Sequence, residues 1–293
     1  MKRVLLCGLV VVVAAERAWA QKSLSLDERE ATVGYINNLQ GSDGGFRPSA
    51  DDRSSHLATC VGALRGLKYL GGRPRNREGV ANFVQSCYDK QSGSFADVPG
   101  GKPDARSTAM GLMSAVELEM PLDDIKGPIE AYFAQNASGN LSDTYIAAAA
   151  LHPARIQASK AKDWIGAFEA TRNSDGSYGK SIADTASAVV TTLRLGGQVK
   201  HRDRVVEILK SAQRADGGFS ATSEHSDLRT SYPVMRAFYM LREKPDLARC
   251  RDFIAHCRNA DGGYGPSPGQ PSALSTTYFA CIIMHWTDEL GGE

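Results

Sequence analysis

Four aspartates recur through this chain at a near-constant interval. Asp104, Asp143, Asp184 and Asp227 stand 39, 41 and 43 residues apart. Each precedes an apolar stretch with helical spacing, in the contexts Asp-Ala-Arg-Ser, Asp-Thr-Tyr, Asp-Thr-Ala-Ser and Asp-Leu-Arg-Thr-Ser. A carboxylate at that position accepts the orphan amide hydrogens of a helix N-terminus, worth about 1 kcal/mol each. Arg106 and Arg229 follow two of these aspartates by two residues. A guanidinium there suits bidentate contact with a phosphate or carboxylate ligand, or closes a salt bridge on the capping aspartate beside it. Tyr232 lies three residues beyond Arg229. His56 is the one histidine at such a helix start, where it serves as a base, an anion contact or a hydrogen-bonded structural group. If the apolar helices run parallel, their N-termini and these side chains converge on one mouth. Such a mouth favours anions, although capping carboxylates oppose the same field.

The elements that must position these residues are marked by a second repeat. Asp43-Gly44-Gly45-Phe46 returns as Gly93-Ser94-Phe95, Asp175-Gly176-Ser177-Tyr178, Asp216-Gly217-Gly218-Phe219 and Asp261-Gly262-Gly263-Tyr264, with a worn copy at Gly139-Asn140-Leu141. Positions 46, 95, 141, 178, 219 and 264 are 49, 46, 37, 41 and 45 residues apart. A period of about 44 residues signals a repeat architecture. Apolar positions at intervals of three and four predict a helix on either side of each copy. The predicted pairs are 26–39 with 56–70, 78–89 with 105–118, 123–135 with 144–151, 159–171 with 184–195, 202–213 with 228–241, and 246–257 with 274–286. The second helix of each pair is apolar nearly all round, as in Ala147-Ala148-Ala149-Ala150, and the first carries more charge. Six inner helices ringed by six outer ones predict an all-α barrel. Glycines in the refrain permit the positive φ that stops an outer helix, and its aromatic plugs the layer between pairs.

Residues 1–20 read as an export signal: Lys2 and Arg3 precede the apolar run Val4 to Ala15, and Ala18-Trp19-Ala20 offers a small-x-small cleavage site. The apolar run is too short to span a bilayer, so residues 21–293 form the expected exported domain, periplasmic or secreted, without a transmembrane span. A formal net charge of +1 with interspersed charges excludes a nucleic-acid footprint. Beyond residue 20, Cys60, Cys87, Cys250, Cys257 and Cys281 all fall in helical patterns. They read as small buried hydrophobes, and none of their spacings builds a zinc site.

The Asp-Gly-Gly-Phe/Tyr refrain with its helix pairs resembles the β subunits of protein prenyltransferases and, more distantly, the squalene and other terpene cyclases. The resemblance covers nearly all of residues 26–286. It is strongest at Ser55-His56-Leu57-Ala58, at Gly93 to Ala96 followed by Asp104-Ala105-Arg106-Ser107, and at Asp227 to Tyr232. It implies an (α/α)6 toroid with an apolar central cavity. It also implies a zinc held by an Asp, a Cys two residues later and a distant His. Lining up the tyrosine puts Arg229 and Ser231 at the first two positions, a shift by two recovers Asp227 but no cysteine, and the His position meets Ser275-Thr276-Thr277, where hydroxyls cannot replace zinc ligands. The family's basic residues upstream of the fifth inner helix meet Ser220 to Ser226, leaving Arg106, Arg229, His56 and the helix N-termini for an isoprenoid diphosphate. The Asp-x-Asp-Asp acid of class II cyclases finds only Ser49-Ala50-Asp51-Asp52, and no Cys-Gly-Glu-Gln thioester is present.

The expected function is therefore binding of an isoprenoid or other apolar chain in the central cavity, with prenyl transfer as the family's chemistry. The ligand-binding candidates are His56, Asp104, Arg106, Asp227, Arg229 and Tyr232, with no metal and no cofactor. A different class of reading is an exported non-catalytic toroid that binds a protein or glycan partner. The lining discriminates: large apolar side chains favour a lipid chain, polar ones a glycan or peptide. Purified protein is expected to hold no stoichiometric zinc by elemental analysis, and a one-to-one metal content would overturn the placement of the ligand positions.

Overall fold

The computed structural model describes residues 24–221 and 225–292. The export signal expected at residues 1–20 lies outside the described residues. Twelve α-helices are found among the described residues, paired in chain order. They are α1 (Leu26–Asn38) with α2 (Leu57–Tyr69), α3 (Arg77–Ser86) with α4 (Ala105–Glu117), and α5 (Asp123–Asn136) with α6 (Leu141–Leu151). The second half holds α7 (Ala161–Glu169) with α8 (Ile182–Arg194), α9 (Arg202–Ser211) with α10 (Leu228–Leu241), and α11 (Leu247–His256) with α12 (Leu274–Gly292). The even-numbered helices pack in sequence and α12 returns to α2, which closes an inner ring. Each odd-numbered helix packs outside its even partner. The architecture is the all-α (α/α)6 toroid that the repeat predicts.

Burial follows the same division. The outer helices bury one stripe, such as Val80, Phe83 and Val84 on α3 or Val205, Val206 and Leu209 on α9. Full burial of such a side chain contributes about 1.5–3 kcal/mol. The inner helix α4 buries ten of the eleven positions from Ala105 to Ala115, all but Arg106, because it meets protein on every side but the cavity. The five cysteines among the described residues are buried and free of disulfides. Burial pushes the thiols of Cys60 and Cys87 up to about 12, which leaves them protonated and inert.

The refrain works through hydrogen bonds that the sequence pattern only partly discloses. Asp43 Oδ1 accepts from the Gly45 amide at 3.1 Å and from the Ser55 hydroxyl at 2.7 Å. Asp216 repeats both with Gly218 (3.1 Å) and Ser226 (2.7 Å), and Asp261 with Gly263 (2.9 Å) and Ser272 (2.9 Å). One carboxylate thus folds the turn and ties it to the segment entering the next inner helix. The aromatic then buries its ring and gives its amide to a hydroxyl on that helix. Phe95 donates to Thr108 at 3.1 Å, Tyr178 to Thr185 at 3.0 Å, Phe219 to Ser231 at 3.0 Å and Tyr264 to Thr277 at 3.0 Å. A two-stranded hairpin at Tyr88–Asp89 and Ser94–Phe95, and isolated bridges such as Arg258 to Tyr264, are the only extended pairing among the described residues.

Successive repeats are stitched at the mouth. The Leu57 amide donates to Asp97 O at 2.8 Å, Leu228 to Pro266 O at 2.8 Å, and Leu274 to Pro48 O at 2.9 Å. The last of these joins the end of the chain to its beginning, and the Thr32 hydroxyl reinforces the seam by donating to Gly262 O at 2.8 Å. The worn copy departs from the rule. Leu141 opens α6 and is 37% exposed instead of plugging the layer. There the Thr144 hydroxyl reaches Ala137 O at 2.9 Å, since no Asp-Gly turn exists to receive it.

Gly217 shows why the refrain needs glycine. Its φ is +89°, and a Cβ would lie 2.0 Å from the Arg249 carbonyl oxygen of the next outer helix. Gly196 has φ +77° with nothing within 4 Å of the same added atom. Gly196→Ala is expected to cost only the left-handed strain, about 1–2 kcal/mol in denaturant unfolding. Gly217→Ala should cost about 3 kcal/mol or more, because strain and a backbone clash add. Equal losses would show that the close approach of turn to helix is unimportant.

Candidate functional site

Parallel inner helices leave a central cavity of about 310 Å³ that opens at their N-terminal ends. Its mouth is ringed by Ala58 and Thr59 of α2, Arg106 of α4, Arg229 of α10 and Ser275 of α12, all within the first turn of their helices. Below them the wall is mostly apolar, with Val61, Met110, Met113, Ile146, Leu274 and Phe279. Arg65, Tyr145, Arg194, Tyr232 and Tyr278 line the deeper part. Among the described residues the charged side chains of the lining are four arginines, 65, 106, 194 and 229, with no Asp or Glu. The opposition between helix dipoles and capping carboxylates is thereby resolved in favour of positive potential inside the cavity.

Local structure explains the separation of the carboxylates from the cavity. Asp104 accepts from the Ser107 amide at 2.7 Å, and Asp227 from the Thr230 amide at 2.8 Å and hydroxyl at 2.9 Å. Both are N-caps turned back onto their own helices. Asp143 and Asp184, expected just before an inner helix, lie inside its first turn, because α6 starts at Leu141 and α8 at Ile182. Asn140 and Ser181 hold the cap positions there, and Ser181 forms a reciprocal capping box with Asp184. His56 occupies the cap position of α2 without capping it. Its Nδ1 pairs with Asp97 Oδ2 at 2.8 Å, while Asp97 Oδ1 accepts the Ala58 amide at 3.0 Å. The carboxylate that serves α2 is therefore borrowed from the following repeat.

Of the six sequence candidates, Arg106, Arg229 and Tyr232 share the cavity. His56, Asp104 and Asp227 sit at the rim, engaged in structural hydrogen bonds. Arg106 and Arg229 form no ion pair with the capping aspartates beside them among the described residues, so both guanidinium groups face solvent at the mouth.

The floor was not anticipated from sequence. Arg65 Nε pairs with Glu117 Oε1 at 2.8 Å, and Lys68 takes the other carboxylate oxygen at 2.9 Å. Burial alone would raise the Glu117 carboxyl, yet Arg65 and Lys68 outweigh it and hold the group below its ordinary range. Arg236 donates to the Tyr232 hydroxyl at 2.7 Å and stacks over the Tyr232 and Trp286 rings at 4.9 and 4.6 Å. Tyr232 and Tyr278 hydroxyls are 3.2 Å apart. Arg194 lies over the Tyr145 ring at 5.8 Å. Burial, with Arg236 nearby, lowers the Arg194 guanidinium to about 10. For Tyr232 burial pushes the phenol up, but Arg236 and Arg194 prevail and hold it below its ordinary value. Burial keeps the Tyr278 phenol above its ordinary value. A legible signal did exist: Arg65, Arg194 and Arg236 are charged residues beyond the first turn of inner helices that are mostly apolar or small.

The residues present do not fit the zinc that the family implies. Asp227 is spent on Thr230, and the fully buried Ser231 hydroxyl accepts the Phe219 amide. Thr276 donates to Tyr264 O and Thr277 to Ala273 O. Among the described residues no three His, Cys, Asp or Glu side chains converge as metal ligands do. No described helix is long and apolar enough to cross a membrane.

Comparison with solved structures places this geometry among known toroids. Candida albicans protein geranylgeranyltransferase-I, in a complex with GGPP, superposes with a TM-score of 0.72 at 16% identity, over 89% of this chain and 92% of that one. The type II terpene cyclase MstE from Scytonema, bound to geranylgeranyl dihydroxybenzoate, gives 0.63 at 11% identity, over 90% and 97%. A glycosidase gives 0.57 at 12% identity, over 90% and 96%. At these identities the likeness establishes the fold alone. No curated protein sequence matches the chain. The model of the prenyltransferase alpha-alpha toroid domain matches residues 6–136 and 122–291. With the closed helical ring, the refrain and this match over nearly its whole length, the chain belongs to the prenyltransferase alpha-alpha toroid domain family.

Proposed function

We propose that the toroid binds an isoprenoid-type amphiphile in its central cavity, with an anionic diphosphate head at Arg106 and Arg229 and the chain against the apolar wall. The observation that carries this reading is the lining itself. It combines Val61, Met110, Met113, Ile146, Leu274 and Phe279 with arginines as its only charged side chains among the described residues. Burying a prenyl chain there contributes about 0.8 kcal/mol per CH₂ equivalent. A diphosphate at the mouth gains two guanidinium groups that have no ion pair among the described residues, and the N-terminal ends of the inner helices. Two solved structures of similar fold, one with GGPP and one with geranylgeranyl dihydroxybenzoate, support the ligand class. Prenyl transfer is the finer form of this reading, and its acceptor would have to be activated without the family's zinc. The leader-like pattern of residues 1–20 supports export in the same reading, and recovery of mature protein beginning at Gln21 would test it.

Calorimetry with farnesyl and geranylgeranyl diphosphate is the direct experiment. The parent protein is expected to bind at least one of them. Arg106→Ala and Arg229→Ala should each weaken that binding roughly ten- to hundredfold, the scale of one charged hydrogen-bonding partner. A parent protein that binds neither diphosphate, or variants with unchanged affinity, would overturn the placement of the head at the mouth.

A further inference from the structure

A second cavity, of about 250 Å³, lies against the C-terminal ends of α6 and α8. Its wall is largely aliphatic, with Ala148, Leu151, Ile156 and Leu195, and its polar members besides Arg194 are His152 and Gln157. We infer that the Arg194 side chain is the partition between this space and the central cavity, and that it sets how long an apolar chain the toroid accepts. The inference rests on the reading of the central cavity as a lipid site and deepens it to the residue that fixes ligand length.

Three observations converge on it. First, the two linings have one residue in common among the described residues, and it is Arg194. The same two helices build both walls. Helix α6 gives Tyr145, Ile146 and Ala149 to the central cavity and Ala148 and Leu151 to the second, while α8 gives Ser187 to the first and Arg194 to both. Second, Arg194 reaches the central cavity from below its other walls. Arg65, Met113 and Ala149 line it eight residues past the starts of α2, α4 and α6, about 12 Å of helix. Arg194 ends α8, twelve residues past Ile182, about 18 Å of helix. It spans the difference because helical side chains lean toward the N-terminus, which here is toward the mouth. Its guanidinium carbon comes to 5.8 Å from the centre of the Tyr145 ring, a residue only four past the start of α6.

Third, Arg194 is the least tethered of the polar groups on the floor. Arg65 is fixed by Glu117 at 2.8 Å, and the Tyr232 hydroxyl by Arg236 at 2.7 Å. Arg194 forms no ion pair among the described residues and rests on an aromatic face. A ligand chain that grows past the floor there meets a guanidinium in place of an aliphatic wall, which gives no hydrophobic gain for the added carbons. Shortening Arg194 joins cavities of about 310 and 250 Å³ and nearly doubles the room for the chain.

The test follows affinity against chain length in two series on the whole protein. Geranyl, farnesyl, geranylgeranyl and geranylfarnesyl diphosphate are measured by calorimetry, and primary alkanols of rising length by displacement of N-phenylnaphthylamine. In the parent each added isoprene unit is expected to tighten binding about tenfold or more until the chain end meets Arg194, and then to add nothing. Arg194→Ala should move that stop at least one unit further and shift the alkanol series in the same direction. Arg194→Leu, a milder shortening, should do likewise and serves if the alanine variant is unstable. Adding Ala161→Phe to Arg194→Ala refills the second cavity from its own wall and should return the stop to the parental length.

A stop at one length in the parent and in both shortened variants overturns the partition. So does a parent series that tightens without any stop. Diphosphates that bind through Arg106 and Arg229 with an unshifted stop would sink the partition and leave the mouth reading intact. An alkanol stop that shifts in Arg194→Ala while no diphosphate binds would do the reverse. A parent that binds neither series removes the lipid site and the partition with it.

Discussion

The structure depends on one hydrogen-bonded carboxylate, repeated around a ring. Asp43, Asp216 and Asp261 each fold a glycine turn and bind the hydroxyl of a serine entering the next inner helix. A helix cannot stop, reverse and present its successor at a fixed angle without satisfying the amides left free at both ends. The refrain meets that demand with an Asp, two glycines and a buried ring. Its aromatic gives its own amide to a hydroxyl of the inner helix, so turn, plug and helix start are a single cooperative unit. Where the refrain is worn, at Gly139 to Leu141, the helix pair remains but the plug does not.

Closure follows from repetition. Six units of one sense bring Leu274 back to the Pro48 carbonyl, and all inner helices then point the same way. Parallel alignment is what makes the interior electrostatically unusual. It gathers helix N-termini at one opening and sends the capping carboxylates sideways onto their own backbones. The arginines near the helix starts are left at the mouth, and those near the helix ends meet at the floor. Positive potential inside the cavity is a product of the topology and of no single residue.

The same topology separates this chain from the zinc chemistry of its family. Positions that correspond to metal ligands are Asp227, Ser231 and the run Ser275 to Thr277. Here Ser231 and Thr277 hold the refrain aromatics Phe219 and Tyr264 in place. A hydroxyl is suited to that task because it donates and accepts at once. Structural use of these positions and metal ligation are alternatives, and the sequence has taken the first.

Helices, period and fold class were legible because they rest on local rules. The apolar spacing around Leu57 to Leu70 or Val205 to Leu209, and the Asp-Gly punctuation, act within a few residues and leave their mark in order. The caps at Asp104 and Asp227 were legible for the same reason, whereas Asp143 and Asp184 were misplaced by less than one helical turn. The structural hydrogen bond of His56 was among its readings, but its partner could not be read, because Asp97 lies 41 residues away and belongs to the next repeat. The floor is the clearest case. Arg65, Arg194 and Arg236 stand out by composition, but which of them is neutralised depends on the radius of the ring and the rotation of each helix about its axis. Those two quantities place Glu117 beside Arg65 across 52 residues and leave Arg194 and Arg236 with aromatic rings instead. The sequence by itself determined the repeat and the helices, since both follow from short-range geometry. Only the tertiary structure decided which charges meet inside the cavity, since that depends on distances set by closing the ring.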